Sequence, residues 1–484
     1  MKVLFVVPEC YPYAKTGGLA DVMSTLPEIL SKKGINTAVV MPNYGDIPYY
    51  FKKKMERRAD FKVNVGWRKK NCTVHLIEHK NIKFFFISNE HYFEREGLYG
   101  HGDDIERFTF FNNAVLEMML QLDEIPDIIH CHEWQTALIS IYLKNKYNEN
   151  ARFKDVKTVF SVHNLMYQGI FPPHVLEDVM GLDGSFFTPE ELEYFGNINL
   201  LKGALKYSDF IITTSPSLAE KLKTPEYGGP LCHFFQEKED RLLGIVNGVD
   251  HQLFNPQRDP HISFHYDREV SAVEEKRKNK LYFQRLFSLP EKKEIPMMVI
   301  ISNLKANKGF KLVLNSIPEL MKFDLQLVVL GVGDEEFEQG FKAAAWENPL
   351  KVSTHITFNE DLARKLYASG DFFLQPSREE PCGTGPLIAM RYLTVPIIRQ
   401  TGGLSEYITS FTNDPERGTG FVFEKYEKED FLKTVGSALS CYKRQQEWEK
   451  IIKNIINNNY CWNQSAAEYI DIYNKLQKNR ASAD

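Results

Sequence analysis

The chain repeats one pattern from its first residues: a short apolar run, a glycine-containing loop and then a helical pattern. Residues 3–7 are continuously apolar, as expected for a strand that is buried on both faces of a parallel sheet. Gly17-Gly18 follows in a loop, and a helical pattern from Leu19 to Lys33 is ended by Gly34 before the next apolar run at residues 37–41. This opening predicts a strand, a loop, a helix and a second strand.

Similar apolar runs recur along both halves of the chain. They lie at residues 82–88, 127–131, 158–162, 210–214, 243–246, 297–302, 325–330, 353–358, 372–375 and 395–399. Helical patterns separate many of these runs, and such alternation predicts parallel strands joined by right-handed crossovers. The segment Phe61–Lys80 departs from it and predicts an antiparallel hairpin that turns around Arg68-Lys69-Lys70.

The alternation pauses after Asn247-Gly248-Val249-Asp250. Residues 251–270 are rich in proline, histidine and aspartate, as a linker would be. A length of 484 residues also suggests two or three domains. We therefore predict an α/β protein with two doubly wound domains, at residues 1–250 and 251–460. A last helix near Gln464–Gln477, within residues 461–484, is expected to pack back on the first domain.

Composition and charge narrow the possible partners. The 59 basic and 64 acidic residues give a net charge of −5 without a long basic run, which argues against a nucleic-acid partner. The first apolar run is short for a signal peptide, and no stretch approaches the roughly 20 residues of a membrane span. Seven cysteines without a Cys-x-x-Cys pair fit a reducing compartment. We expect a cytoplasmic protein with no membrane partner.

One short motif occurs in both halves. Thr16-Gly17-Gly18-Leu19 and Thr401-Gly402-Gly403-Leu404 each follow a predicted strand and precede a predicted helix. At such a position, free N–H groups and the helix dipole favour an anion. A single Gly-Gly is explained as well by a tight connection. Two of them, one in each predicted domain, favour a phosphorylated ligand held between the domains.

Further motifs resemble those of bacterial glycogen synthases and plant starch synthases. They run in order along nearly the whole chain, at residues 15–22, 104–108, 163–169, 199–203, 224–228, 245–250 and 380–383. The resemblance implies a GT-B fold, in which two Rossmann-like domains face a cleft. It also implies transfer of glucose from ADP-glucose to the non-reducing end of an α-1,4-glucan, with retention of configuration. UDP-glucose remains open as the donor.

The resemblance also implies which residues hold the diphosphate. Lys15 with Gly17 and Gly18 resembles the phosphate contacts of the first domain, and Lys308 resembles the catalytic lysine of the second. Main-chain amides at Thr401, Gly402 and Gly403 would add to these, and Asn247 lies in another family motif. Because the chain lacks an Asp-x-Asp motif, a site without metal or cofactor is the simpler prediction. Lys15 alone would be read as an ordinary solvated lysine.

Two residues are predicted to act on the sugar. His163 ends an apolar strand, where open α/β sheets place ligand-binding residues, and the family sets this histidine against the donor glucose. A lone histidine is more often structural, but the complete motif favours the site. Glu380, with Cys382 and Gly383, resembles the segment that binds the glucose hydroxyls. The alternative for Glu380 is an exposed acidic turn before a helix that opens at Pro386.

The run His130-Cys131-His132-Glu133-Trp134 looks at first like a metal site. It lacks a third ligand and a second cluster, so zinc is not predicted. The family has Asp-Trp-His where this chain has Glu133-Trp134-Gln135. Since the family aspartate lies near the sugar, Glu133 is predicted to be catalytic and to keep the negative charge on a longer side chain.

Three departures from the family pattern bear on activity. Ser302-Asn303-Leu304 lacks the arginine that clamps the diphosphate, and Lys305 and Arg399 are candidate substitutes. Thr384-Gly385-Pro386 and Gly229–His233 also differ from the family. We predict a metal-independent glucan synthase that is slow because of Asn303. The alternatives are a weak or inactive glucan-binding paralogue, and a retaining glycosyltransferase with a different donor or acceptor.

Overall fold

The structure is a computed structural model that describes residues 1–380, 383–458 and 460–481. Its contacts divide the chain into two compact units. The N-terminal unit consists of Met1–Asn247 and Trp462–Asp484, and the C-terminal unit consists of Gly248–Cys461. Each unit is built around its own mainly parallel sheet, which confirms the predicted α/β class.

The large sheet of the N-terminal unit has the strand order β12-β11-β7-β6-β1-β2-β5-β4-β3. Its order runs outward in both directions from β1, which is a doubly wound arrangement. A small antiparallel sheet has the order β8-β10-β9. The strands are β1 (Lys2–Val6), β2 (Asn36–Pro42), β3 (Glu56–Val65), β4 (Arg68–His79), β5 (Ile82–Ser88), β6 (Ile128–His132), β7 (Lys157–Val162), β8 (Ile170–Phe171), β9 (Glu193–Tyr194), β10 (Asn197–Asn199), β11 (Phe210–Thr213) and β12 (Leu242–Gly244).

The predicted hairpin is present, but its turn was placed wrongly. It lies at Gly66–Trp67, and Arg68 already pairs with Val65 in β4. Gly66 has φ +54°, a conformation that favours glycine, so the chain reverses there and not among the charged residues that follow. The first strand also begins earlier than predicted, at Glu56.

Helices of the N-terminal unit fill the connections between its strands. The longest cover an apolar face, as in α1, where Val22, Met23, Leu26 and Leu30 are buried. The helices are α1 (Gly18–Lys32), α2 (Tyr49–Lys52), α3 (Glu90–Phe93), α4 (Asp104–Gln121), α5 (Leu138–Asn145), α6 (Val175–Asp178), α7 (Leu200–Tyr207), α8 (Pro216–Leu222), α9 (Pro225–Gly228) and α10 (Cys232–Glu237).

The sheet of the C-terminal unit is parallel throughout and has the order β15-β14-β13-β16-β17-β18. This corresponds to the 3-2-1-4-5-6 order of a Rossmann sheet. The strands are β13 (Met297–Ile301), β14 (Gln326–Leu330), β15 (Val352–His355), β16 (Phe372–Gln375), β17 (Val395–Arg399) and β18 (Phe421–Phe423). Strand β18 was not predicted from the sequence, because it is only three residues long.

Helices also connect the strands of this unit. They are α11 (Val273–Leu286), α12 (Phe310–Asn315), α13 (Ile317–Leu320), α14 (Glu335–Glu347), α15 (Glu360–Ser369), α16 (Thr384–Arg391), α17 (Leu404–Tyr407), α18 (Lys428–Lys443) and α19 (Gln445–Asn457). Residues 251–270, predicted as a linker, are instead packed into the unit. Asp259 is buried there and accepts a hydrogen bond from Arg364 Nη1 at 3.1 Å, and Tyr266 donates to the Tyr392 carbonyl.

The last helix, α20 (Trp462–Ala481), contacts α1 and contributes to the core of the N-terminal unit. Trp462, Tyr469 and Tyr473 are buried in that core. Ser465 Oγ donates to the Val246 carbonyl at 2.6 Å. No helix in the described part of the chain is both long and apolar enough to cross a membrane.

Candidate active site

The predicted site residues lie at the carboxyl edges of the two sheets. In each unit the strand order reverses at one point, between β1 and β6 and between β13 and β16. Open α/β sheets bind their ligands outside such a switch point. Gly17 and Glu133 follow the two strands at the first switch point, and Asn303 and Glu380 follow the two strands at the second.

Glu9, which follows β1, occupies the start of α1. Its Oε2 accepts hydrogen bonds from Thr16 N at 2.7 Å and Thr16 Oγ1 at 2.6 Å, and its carboxylate also accepts from the Ala20 amide. Burial raises the pKa of Glu9, against the lowering effect of these donors. A Cβ added to Gly17 would lie 3.6 Å from Glu9 Oε1. The amides at this helix start therefore already face a carboxyl group of the protein.

Lys15 is held beside the same helix. Its Nζ lies 2.7 Å from Asp21 Oδ1 and 5.7 Å from the centre of the Tyr11 ring. Both partners of the ion pair are partly exposed. Lys15 is therefore neither buried nor an isolated solvated lysine, and a phosphate that binds it would compete with Asp21.

Glu133 has an unusual backbone and an unusual environment. Its φ is +64°, which is rare for a residue with a side chain and carries a strain of order 1–3 kcal/mol. Its Oε1 accepts from His163 N at 2.7 Å and Asn164 N at 3.2 Å. Desolvation raises its pKa to about 8 despite these two donors. A pKa of about 8 disfavours the predicted negative charge on Glu133 near pH 7, and its catalytic role stays a prediction.

His163 ends a row of three buried histidines. His163 Nε2 lies 3.0 Å from His132 Nδ1, and the two rings are stacked with centroids 5.3 Å apart. His130 lies against His132 and is held by Tyr473 Oη at 2.7 Å and Ser161 Oγ at 2.8 Å. Burial lowers the pKa of His163 to about 4. The ring is therefore neutral, and its Nδ1 is buried without a hydrogen-bond partner among the described residues.

Glu380 is the centre of the site in the C-terminal unit. It is 6% exposed, and its Oε2 accepts from Lys308 Nζ at 2.6 Å, Gln375 Nε2 at 2.6 Å and Ser377 Oγ at 3.0 Å. The alternative prediction of an exposed acidic turn is therefore wrong for Glu380, although Glu379 is exposed. All three donors contact one oxygen, and no described residue donates to Oε1.

The loop that carries Lys308 is fixed against the segment before Glu380. Arg378 N donates to the Asn307 carbonyl at 2.8 Å. Gly309 has φ +81°, and a Cβ at this position would lie only 2.0 Å from the Pro376 carbonyl oxygen. Only glycine therefore allows the Lys308 loop to approach close enough for the Lys308–Glu380 ion pair.

The second Gly-Gly motif contacts the same segment. Gly403 N donates to the Glu380 carbonyl at 3.2 Å, and Thr401 Oγ1 donates to the Arg378 carbonyl at 3.2 Å. The helix that follows, α17, has only four residues, so its dipole is far smaller than that of the 15-residue α1. Gly402 has φ +50°. This motif positions Glu380, and the predicted equivalence of the two helix starts is not observed.

Asn303 and Lys305 are both exposed at the end of β13. Lys305 Nζ has no hydrogen-bond or ion-pair partner in the described part of the chain. Arg399, the other candidate substitute for the missing arginine, donates from Nη1 to the Arg378 carbonyl at 3.0 Å and lies near the Tyr426 ring. Of these two cations, Lys305 is the more exposed, and Arg399 Nε is buried without a hydrogen-bond partner among the described residues.

Three further residues were predicted to bind substrate: Asn247, Gly383 and Cys382. Asn247 is buried at the end of the N-terminal unit. Gly383 has φ +65° and caps α16, and a Cβ there would lie 2.2 Å from Leu404 Cδ2. Cys382 lies outside the described residues. Within the described ranges, no group of three His, Cys, Asp or Glu side chains could hold a metal ion.

Sequence reasoning missed the residues that hold the predicted ones in place. Glu9 at α1, His132 beside His163, and Gln375 and Ser377 beside Glu380 were assigned no role. Glu9, His132 and Gln375 are polar residues at or just after the carboxyl end of an apolar strand, and that position was the available signal. Tyr473 could not be found this way, because its contact with His130 spans 343 residues of sequence.

Comparison with known proteins identifies the family. Residues 2–237 match the family described as starch synthase catalytic domain, and residues 284–455 match glycosyl transferases group 1. The glycogen synthase of Anoxybacillus flavithermus is 42% identical over 476 residues, which cover 98% of each chain. That of Geobacillus thermodenitrificans is 43% identical over 478 residues, 99% of this chain and 98% of the relative.

Solved structures agree with the sequence comparisons. The catalytic domain of starch synthase IV from Arabidopsis thaliana, bound to ADP and acarbose, matches with a TM-score of 0.92 at 27% identity over 99% of both chains. Sucrose-phosphate synthase from Thermosynechococcus elongatus shares the fold, with a TM-score of 0.63 at 15% identity over 98% of both chains. The predicted GT-B fold and enzyme class are thus confirmed. The chain belongs to the glycogen and starch synthase family and is a glycosyltransferase.

Proposed function

We propose that the protein transfers glucose from ADP-glucose to the non-reducing end of an α-1,4-glucan, with retention of configuration. Its curated relatives are named glycogen synthases and align over 98% of this chain. The Arabidopsis starch synthase IV structure contains ADP and acarbose, which supports an adenine nucleotide donor and a glucan acceptor here. UDP-glucose is the alternative donor. A cytoplasmic location remains a prediction from the sequence.

One observation carries the proposal: Glu380 is buried and paired with Lys308, and no residue that the structure describes donates to its Oε1. A sugar hydroxyl can donate to Oε1 while Lys308, Gln375 and Ser377 hold Oε2. The same carboxylate favours the positive charge that develops on the sugar as the diphosphate leaves. The Lys308 side chain is 24% exposed, so one of its remaining protons can serve the departing phosphate.

His163 and the segment that follows it support the proposal from the N-terminal unit. A neutral His163 places no positive charge beside a cation-like sugar, and its fixed ring offers Nδ1 to a sugar hydroxyl. Met166, Tyr167 and Ile170 follow on the same segment and are each about half exposed. Exposed apolar side chains of this kind suit the faces of glucose rings in an acceptor chain.

We further propose that the diphosphate is neutralised by lysines, without a divalent metal. Lys15 follows β1 in the N-terminal unit, and Lys305 and Lys308 follow β13 in the C-terminal unit. Asn303 lacks the charge of the family arginine, so we expect slow turnover. A weak glucan-binding paralogue is the second candidate. Two features favour it: Asn303 lacks the charge of the family arginine, and the raised pKa of Glu133 keeps that residue mostly protonated near pH 7.

The test is incorporation of radiolabelled glucose into glycogen from ADP-glucose and from UDP-glucose in separate reactions. Incorporation from ADP-glucose that persists in EDTA supports both parts of the proposal. Loss of turnover in EDTA, with recovery on addition of magnesium or manganese, refutes the metal-free mechanism. If neither donor gives incorporation and the protein still binds glycogen, the proposed transferase activity is refuted and the glucan-binding paralogue is the better interpretation.

A further inference from the structure

His132 lies beside His163, and the proposed reaction gives it no role. It ends β6, and His163 follows β7, which is the parallel neighbour of β6 in the sheet. His132 Nδ1 and His163 Nε2 are 3.0 Å apart, which is a hydrogen-bonding distance. One of these two nitrogens must therefore carry a hydrogen, and the other must accept it.

The His132 ring is packed against a second histidine that offers it no hydrogen bond. The centres of the His132 and His130 rings are 4.3 Å apart. Both His130 nitrogens are already occupied, by Tyr473 Oη at 2.7 Å and Ser161 Oγ at 2.8 Å. His130 therefore contacts His132 ring to ring, and His132 Nε2 has no hydrogen-bond partner among the described residues.

His132 and His163 are both neutral, so each ring carries one N–H. Burial lowers the pKa of His163 to about 4 and holds the pKa of His132 well below its usual value. Two arrangements of the hydrogens are then possible. If His132 Nδ1 donates, His132 Nε2 is bare and His163 carries its hydrogen on Nδ1. If His163 Nε2 donates, His132 carries its hydrogen on Nε2 and His163 Nδ1 is bare.

The place of the unpaired N–H separates the two arrangements. His163 Nδ1 also lacks a partner among the described residues, so each arrangement leaves one N–H unpaired in the free protein. Buried N–H groups without a partner are rarer in proteins than buried acceptors without one. His132 is 0% exposed, so an N–H on its Nε2 would stay unpaired. His163 is 8% exposed at the edge where open α/β sheets bind ligands, so an N–H there can be paired by a substrate.

We propose that His132 is a positioning residue: it donates from Nδ1 to His163 Nε2 and so fixes the hydrogen of His163 on Nδ1, from which His163 donates to an oxygen of the substrate. The inference rests on the proposed function, in which His163 contacts the donor sugar. A sugar hydroxyl and a phosphate of the leaving group both offer the oxygen lone pair that such an N–H requires. A ligand with a C–H group at this position would leave the N–H unpaired, so the contact favours an oxygen.

The tautomer can be observed directly by NMR. In the full chain labelled with ¹⁵N on its histidines, correlations between ring carbon-bound hydrogens and ring nitrogens separate a protonated nitrogen from a bare one. The variant His163→Gln identifies the His163 signals by their loss. We expect the hydrogen of His163 on Nδ1 and a bare Nε2. A hydrogen on His163 Nε2 in the parent protein overturns the proposal.

The same spectra distinguish the two possible oxygens. ADP alone and ADP-glucose without a glucan acceptor are added in separate titrations. A shift of the Nδ1 hydrogen with ADP alone assigns the contact to the phosphate, and a shift only with ADP-glucose assigns it to the sugar. No shift with either ligand overturns the donation to substrate.

Kinetics test whether His132 matters through its N–H or through its bulk. Leucine and asparagine are similar in size, but only asparagine keeps an N–H at the δ position. We expect His132→Leu to lower kcat about tenfold and His132→Asn to stay within about threefold of the parent. The control is His75→Leu on β4, because His75 is also a strand histidine whose Nδ1 is hydrogen-bonded, to Ser88 Oγ at 2.8 Å. It should match the parent in kcat and in the His163 signals.

Equal losses of kcat in His132→Leu and His132→Asn would show that packing alone is involved and overturn the proposal. Parental kcat in His132→Leu, or an equal loss in His75→Leu, also overturns it. If His132→Leu does not fold, the spectrum of the parent still decides the position of the hydrogen. A hydrogen that moves to His163 Nε2 in a fully active His132→Asn overturns the proposal as well.

Failure of the proposed function would look different. A protein that transfers no glucose from either donor, yet carries the hydrogen on His163 Nδ1, loses the enzymatic proposal and keeps the role of His132 in fixing the tautomer. A protein that transfers glucose normally with the hydrogen on His163 Nε2 loses only the role of His132.

Discussion

Replacing Glu133 with glutamine should stabilise the protein above neutral pH while impairing its activity. Glu133 accepts hydrogen bonds from the His163 and Asn164 amides through Oε1, and a glutamine Oε1 can accept the same two. A glutamine does not ionise, so the variant avoids the free-energy cost of a charged carboxylate in a desolvated position. The effect on stability should therefore depend on pH.

The size of the change in the free energy of unfolding follows from the pKa of Glu133. Desolvation raises it from 4.5 to about 8, so between these values the unfolded state binds fewer protons than the folded state. Stability contributed by this group is complete below about pH 4.5 and is lost as pH rises towards about 8. Each pH unit corresponds to about 1.4 kcal/mol, and pH 7 lies 2.5 units above the unfolded pKa of 4.5, so the loss at pH 7 is at most about 3.5 kcal/mol. Glu133→Gln should recover most of it.

Urea unfolding of the parent and of Glu133→Gln at about pH 5 and pH 8 measures this directly. Trp134, the next residue, is 9% exposed and should report unfolding of the N-terminal unit by fluorescence. Because a two-unit chain need not unfold in one step, hydrogen exchange of the peptides around β6 and β7 gives an independent value. Glu237→Gln, at an exposed position on α10, is the control and should change nothing.

We expect the two proteins to be nearly equal at pH 5 and the variant to be clearly more stable at pH 8. Parallel pH profiles would refute the reasoning, because they would mean that Glu133 ionises as freely when folded as when unfolded. A variant that is less stable than the parent at pH 8 would refute it more strongly, since an ionised Glu133 would then be stabilising.

The remaining predictions concern turnover. His163→Ala and Glu380→Gln should each lower kcat by about two orders of magnitude or more with little change in unfolding midpoint, and near-parental turnover in either variant would remove its assignment. Asn303→Arg should raise turnover with ADP-glucose about ten- to hundredfold, and no gain in an active enzyme would mean that another cation, with Lys305 the first candidate, has taken over the clamp. If Glu133 acts in its ionised form, kcat should rise from about pH 6 to about pH 9, and Glu133→Gln should abolish this rise.

The fold was predictable because it depends on patterns that a single chain displays. Buried parallel strands are continuous apolar runs, so β5, β16 and β17 have the bounds predicted for them. The three-residue β18 was missed because so short a run carries no periodicity. The hairpin turn was misplaced because the polar residues Arg68-Lys69-Lys70 suggested a loop. The turn needs a residue with positive φ, and Gly66, two residues before Arg68, provides it.

The sequence predicted where the candidate residues lie along the strands, but it could not predict their contacts. Family motifs and strand ends pointed to Lys15, His163, Lys308 and Glu380, and the structure places each at a carboxyl edge. Their partners depend on tertiary distance, so the pairing of Lys15 with Asp21 could not be read from the sequence. The protonation state of Glu133 could not be predicted from the sequence either, because burial raises its pKa far from the usual value for a glutamate.

The two carboxyl groups that were predicted to act on the sugar stand in opposite environments, and this separates their roles. Glu380 forms an ion pair with Lys308 and accepts hydrogen bonds from two further donors. Glu133 forms no ion pair with any residue that the structure describes, and the nearby Glu9 adds to the cost of ionising it. Stabilising a positive sugar therefore falls first to Glu380. Glu133, protonated near pH 7, can donate a hydrogen bond, and the family aspartate that it replaces differs from it in reach. We therefore expect the loss of Glu380 to lower turnover at every pH tested, and we expect the protonation of Glu133 to set how turnover depends on pH near neutrality.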